Sequence, residues 1–110
     1  MSSLTYIQAL VLIEYKENGY LDMWTKGRNN QEQKIYDIAE LSLIMTEVSE
    51  LIEYIRKGKK PDDDKYCYEL AEIIIKTLNY CSRKGINIEK RIIEKNAINC
   101  NRVYLHGKEV

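Results

Sequence analysis

Four glutamates fall into two pairs of identical spacing, Glu47 with Glu50 in the stretch EVSE and Glu69 with Glu72 in ELAE. On a helix, residues three apart share a face with Cβ atoms about 5–6 Å apart, so each pair can converge on one centre. If the two helices pack side by side, four carboxylates share a small volume and their repulsion must be offset by a cation. Oxygen-only ligands suit a hard ion, Mg²⁺ or Mn²⁺, better than zinc or copper. A third set supplies the opposite charge: Lys95, Asn99 and Arg102 are spaced by four and three and lie within about 60° on one helix face. Lysine and arginine aimed at one point suit a polyphosphate.

Each signal also has a plainer reading. Glu47 and Glu50 alone describe a solvated helix face, and Lys95, Asn99 and Arg102 alone a basic edge. Trp24, beside Lys26 and Arg28, is either a stacking platform for a nucleobase or a core anchor, since aromatic burial dominates small cores. The aspartates Asp62–Asp64 suit a helix cap better than an ion site. Glu40 and Glu53 read as solubility residues. Other chemistries find no support. The one histidine, His106, sits in a terminal tail and makes a poor general base for a triad. No Glu-x-x-His is present for a di-iron bundle, and no glycine-rich phosphate loop occurs.

The helices that must position these groups follow from periodicity and punctuation. From Leu4 to Glu17 the residues Ile7, Leu10, Val11 and Ile13 approximate a helical stripe, with Thr5 and Gln8 as a capping box, and Asn18-Gly19 is the stop. Tyr20 to Trp24 is a short aromatic segment followed by a loop over Lys26–Asn30. Asn30 caps a helix, with Gln33 assisting, that runs to about Lys57 and ends at Gly58. Leu41, Ile44, Val48, Leu51 and Ile55 draw its core stripe, while Leu43 and Tyr54 give it a second apolar flank. That flank predicts cover from a partner subunit. The next helix is apolar round most of its circumference. Lys65, Glu69, Glu72, Lys76 and Asn79 form a strip about 80° wide, and such a helix is expected to be buried on several sides. It ends near Lys84-Gly85. A last helix runs from near Asn87 to about Arg102 with Ile92, Ile93, Ala97, Ile98 and Cys100 as its apolar contacts.

Length and composition set the frame. A chain of 110 residues makes one domain, 1–110. One proline, five glycines and no phenylalanine, with abundant Ile, Leu, Glu and Lys, favour an all-α fold. The formal net charge of zero argues against binding a nucleic-acid polymer, which calls for a basic excess. Cys67, Cys81 and Cys100 form no C-x-x-C and sit among apolar positions, as reduced buried thiols of a cytoplasmic protein do. No apolar run approaches the roughly 20 residues of a membrane span, so a soluble protein is expected.

With these residues in place, the chain resembles the all-α nucleoside triphosphate pyrophosphohydrolases, in particular compact MazG-like members. The family pattern is Glu-x-x-Glu, then Glu-x-x-Asp after a helix-turn-helix gap, then a helix carrying lysine, asparagine and arginine. EVSE, ELAE and KNAINCNR supply these, and the likeness extends from about Asp37 to Lys108, including the RKG turn at Arg56–Gly58 and the HGK tail. Glu72 stands where the family usually has aspartate, and its extra methylene would shift a bound metal. The resemblance implies a four-to-five-helix bundle, assembled as a dimer or dimer of dimers with the cleft shared between subunits. It implies hydrolysis of a (d)NTP to the monophosphate and pyrophosphate on Mg²⁺, often as nucleotide house-cleaning. Glu47, Glu50, Glu69 and Glu72 are then the metal ligands. Glu50, backed by Glu47, takes the proton of the attacking water, and Lys76, Lys95, Asn99, Arg102 and Trp24 bind substrate. The alternative is a non-catalytic helical module of the same kind that binds a nucleotide or a protein. A metal-free bundle, its carboxylates paired with lysines, is a third.

Overall fold

Helix formers interrupted by a few caps and glycines yield helices joined by tight turns. The computed structural model describes residues 3–25 and 29–102. They form α1 (Ser3–Glu17), α2 (Tyr20–Thr25), α3 (Asn30–Arg56), α4 (Asp64–Arg83) and α5 (Ile88–Cys100). Among the described residues there is no strand, and no helix is long and apolar enough to cross a membrane. The loop residues 26–28 and the tail with His106–Lys108 lie outside the described residues.

Side-chain caps set most of the starts. Asn29, rather than Asn30, is the N-cap of α3 and accepts from the Glu32 backbone N–H at 2.8 Å. Asp63 caps α4, accepting from Lys65 and Tyr66 and from the Tyr54 hydroxyl. Asn87 caps α5. After α4 the chain reverses at Gly85, whose φ of +69° lies in the left-handed region where a Cβ is strained. The expected capping box at Thr5 and Gln8 does not form. Both residues lie inside α1, where Thr5 donates to Glu89 and Gln8 to Ser82.

The main interface is between α3 and α4. Their pairing is antiparallel: Arg83 at the end of α4 meets Asp37 and Glu40 near the start of α3, while Lys76 meets Glu47 further along. α1 lies on α4, and α2 bridges α1 to α3 through a Tyr15–Tyr20 stack and an edge-to-face Trp24–Tyr36 contact at 5.7 Å. Tyr20–Thr25 is thus a true helical turn whose Trp24 is buried as a core anchor. Trp24 joins Tyr15, Leu51, Leu78 and Cys81 in the core. Each large apolar side chain buried there contributes about 1.5–3 kcal/mol.

The core is smaller than the apolar pattern suggests. Of the α3 stripe only Leu51 is buried, whereas Leu41, Val48 and Ile55 are exposed, as are Tyr68, Leu70 and Ile74 on α4. A helix of 27 residues spans about 40 Å, more than the shorter helices cover. α5 shares no extensive interface with the other helices. Its Ile92, Ile93 and Ile98 are exposed, and so is Cys100, like Cys67; Cys81 alone is a buried thiol. The apolar contact expected of α5 is therefore not made among the described residues.

Candidate functional site

The polar strip of α4 organises the site. Glu69, Glu72, Lys76, Asn79 and Arg83 follow one another at intervals of three and four, which keeps them on one face over four turns. That face is turned toward α3, and three polar assemblies lie along it.

At the first, antiparallel pairing brings the start of α4 against the later part of α3. Glu47, Glu50 and Glu69 each offer a carboxylate oxygen, all within 4.8 Å of one another. Glu47 and Glu69 are half-buried and Glu50 is exposed, so the group opens to solvent on one side. Burial, a hydrogen bond with Glu69 and the charge of Glu50 push the Glu47 carboxyl above its ordinary range, against the pull of Lys76. A carboxylate crowded by like charges holds a proton more tightly, and positive charge nearby works against that. Glu69 Oε2 is buried and has no hydrogen-bond partner. An all-oxygen donor set with an orphaned buried lone pair fits a hard divalent cation. Lys76 supplies part of the missing charge, its ammonium lying 3.9 Å from Glu47 and 3.7 Å from Glu72. Glu72 does not enter the three-carboxylate group and lines a cavity instead.

That cavity, of about 160 Å³, is the second assembly, a part-open pocket where α1, α2, α3 and α4 meet. Tyr15, Tyr20 and Trp24 form its aromatic wall, and Glu72, Lys76 and Asn79 its polar floor. Asn79 is 5% exposed, and its Oδ1 is buried without a partner.

The third assembly surrounds Arg83, whose side chain is 1% exposed. Its Nε donates to Glu40 at 2.7 Å, its Nη2 to Asp37 at 2.5 Å, and its Nη1 to the Trp24 carbonyl and Gln33. Lys84 donates to Asp37 at 2.8 Å and Tyr15 to Glu40 at 2.5 Å. Desolvation opposes the charge on Arg83, but its hydrogen bonds to Glu40 and Asp37 outweigh it and raise the guanidinium further. Burial likewise opposes ionisation of Asp37, and the hydrogen bonds from Lys84 and Arg83 prevail and hold its carboxyl below the ordinary range. Glu40 is therefore no solubility residue: at 5% exposure it is the buried link between α1, α3 and α4. The sequence carried two signals for this. Arg83 continues the α4 strip one step beyond Asn79, and Glu40 lies two turns before Glu47 on α3.

The basic set stands apart. Lys95 and Asn99 line a shallow groove made by α5 residues alone, with Ile88, Arg91 and Ile92, and Arg102 follows the end of that helix. Among the described residues no ion pair joins Lys95 to the acidic group.

Compared with protein-family models, with curated proteins and with solved structures, the chain matches none.

Proposed function

We propose that this chain is a Mg²⁺-dependent nucleoside triphosphate pyrophosphohydrolase of the MazG-like, all-α kind, converting a (d)NTP and water to the monophosphate and pyrophosphate in nucleotide house-cleaning. The observation that carries the reading is the convergence of Glu47, Glu50 and Glu69 within 4.8 Å, with one buried oxygen of Glu69 unpartnered. Mg²⁺ held there, with Mn²⁺ as a substitute, supplies charge to offset the triphosphate and acidifies bound water. Glu50, the most exposed of the three, accepts the proton of the attacking water, with Glu47 as its neighbour. Lys76 holds positive charge beside Glu47 and Glu72, where phosphoryl oxygens gain charge as the phosphoanhydride bond breaks. Trp24 walls the adjoining cavity.

The reading includes self-association as a dimer or dimer of dimers. The exposed apolar residues of α3 and α5 supply the surface, and burying them against a second copy would bring the basic face of α5, with Lys95, Asn99 and Arg102, to a shared cleft. Exposed apolar surface on this scale marks an interaction site. Size-exclusion chromatography with light scattering would read twice or four times the chain mass; a monomer at micromolar concentration removes this part.

Pyrophosphate release from a panel of canonical and modified NTPs with Mg²⁺ tests the activity. Turnover that Glu50→Gln and Glu69→Gln abolish, with helical circular dichroism intact, supports it. No turnover on any NTP, with either metal, overturns it. The second reading is the metal-free bundle whose carboxylates pair with lysines, favoured by one contact: Lys76 bridges Glu47 and Glu72 and so provides an internal counter-ion. On that reading the fold is indifferent to Mg²⁺ and Lys76→Met destabilises it.

A further inference from the structure

The turn between α3 and α4 gathers two lysines at one ring. Tyr54, near the end of α3, has the Lys59 ammonium 5.7 Å and the Lys65 ammonium 5.2 Å from its ring centroid. Its hydroxyl donates at 3.2 Å to Asp63, the N-cap of α4, so the ring is pinned between the two helices. Lys59 is set by its backbone N–H, which donates to the Tyr54 carbonyl. Both lysines are exposed, and among the described residues neither forms an ion pair with a carboxylate. Asp63 feels the charge of Lys59 without pairing to it. Lys65 stands in the first turn of α4, where the helix dipole disfavours positive charge. The two ammoniums also repel each other, and an anion set between them relieves both costs.

This lysine pair lies one helical turn from the three-carboxylate group. Tyr54 follows Glu50 by four residues on α3 and Lys65 precedes Glu69 by four on α4, so on each helix the neighbours are about 5–6 Å apart at Cβ. The Tyr54 hydroxyl, raised by burial and by Asp63, also feels the charge of Glu69. On the other side of the group stands Lys76, 3.9 Å from Glu47, which lines the part-open pocket walled by Tyr15, Tyr20 and Trp24. The groove between α3 and α4 thus runs from the lysine pair, past the carboxylates, to Lys76 and the aromatic wall. One end is cationic and the other aromatic, which gives a ligand laid along it a direction.

We propose that Lys59 and Lys65, held against Tyr54, bind the pyrophosphate half of the triphosphate, so that the substrate lies along the groove with its nucleoside end toward Trp24. The assignment rests on the pyrophosphohydrolase reading. As the water oxygen bonds to the α-phosphorus, the bridging P–O bond breaks, its electron pair leaves with the pyrophosphate, and Glu50 takes the proton. The two ammoniums meet the charge that the departing pyrophosphate acquires. A nucleoside monophosphate held at the carboxylates leaves the lysine pair empty, so the pair senses the length of the phosphate chain. It supplies a basic contact beside the carboxylates within one chain, which the α5 groove with Lys95 and Asn99 does not.

Calorimetric titration of the full chain with inorganic pyrophosphate in the presence of Mg²⁺ reads this subsite without turnover. The double variant Lys59→Met with Lys65→Met is expected to lose at least about tenfold in pyrophosphate affinity. Its kcat/KM for NTPs should fall by a similar factor, while Mn²⁺ binding should not weaken, because neither lysine is a metal ligand. Lys59→Arg with Lys65→Arg keeps both charges and the ring contacts and should bind pyrophosphate as the parent does. Helical circular dichroism reads the fold of each variant separately. Pyrophosphate affinity of the methionine variant within about twofold of the parent, or an arginine variant as weak as the methionine one, overturns the inference even if NTPs are hydrolysed. Lysine-dependent pyrophosphate binding with no turnover of any NTP leaves the subsite standing and removes the pyrophosphohydrolase reading instead.

Discussion

The hydroxyl of Tyr15 and the carboxylate of Glu40 meet at 2.5 Å in a buried contact that ties α1 to α3. Burial, the hydrogen bond to Glu40 and the Glu40 charge all raise the Tyr15 hydroxyl above the ordinary tyrosine range. Because the folded value exceeds the unfolded one, the stabilisation is full below about pH 10 and is lost as pH rises through the folded value. Tyr15→Phe is expected to cost about 1–2 kcal/mol at pH 7. It should also remove the most alkaline tyrosine from a spectrophotometric titration, which an unchanged titration would contradict.

Arg83 satisfies two carboxylates, a side-chain amide and a backbone carbonyl at once. Arg83→Met strands Glu40 in the core and is expected to cost about 3–5 kcal/mol, the usual loss when one partner of a buried ion pair is removed. Arg83→Lys should recover little, since one ammonium cannot reproduce the fork to Glu40 and Asp37. Urea unfolding measures both, and a loss under 1 kcal/mol for the methionine variant would show the network to be marginal.

Asp37 gives a pH signature of the opposite sign. Its folded carboxyl lies below the ordinary range, so its stabilisation is full above the unfolded pKa of about 3.9 and is lost as pH falls through the folded value. Asp37→Asn should therefore be less stable than the parent at pH 7, and the gap should close below about pH 3. A gap independent of pH between 2 and 7 would mean that packing, not charge, explains the loss.

Gly85 turns the chain from α4 toward α5 with a positive φ and open space at its Cβ position. Gly85→Ala is expected to cost about 1–2 kcal/mol from backbone strain alone, read as a lowered melting temperature with an unchanged denaturant slope.

The helices were legible because their signals are local. Asn18-Gly19, Lys57-Gly58 and Lys84-Gly85 mark stops, Asp63 and Asn87 mark starts, and a strip at intervals of three and four marks the α4 face. The Glu47, Glu50 and Glu69 group was legible for the same reason, since two i, i+3 pairs need only antiparallel packing to meet. What escaped was tertiary. Glu40 looks like any surface glutamate until Arg83 and Tyr15 arrive from helices 43 and 25 residues away. Glu72 separates from Glu69 because α4 turns it toward Lys76 and the cavity. The apolar residues of α5 and of the outer α3 face read as core, yet Leu41, Val48, Ile55, Ile92, Ile93 and Ile98 are exposed.

The proposed activity requires that Glu47, Glu50 and Glu69 together hold a divalent cation. Titration of the protein with Mn²⁺, following the free-ion electron paramagnetic resonance signal, tests it without recourse to turnover. Loss of free signal corresponding to bound Mn²⁺ on each chain is expected, with competition by Mg²⁺ and binding weakened at least tenfold in Glu69→Gln. A free-ion signal undiminished by the parent protein up to millimolar concentrations would contradict it.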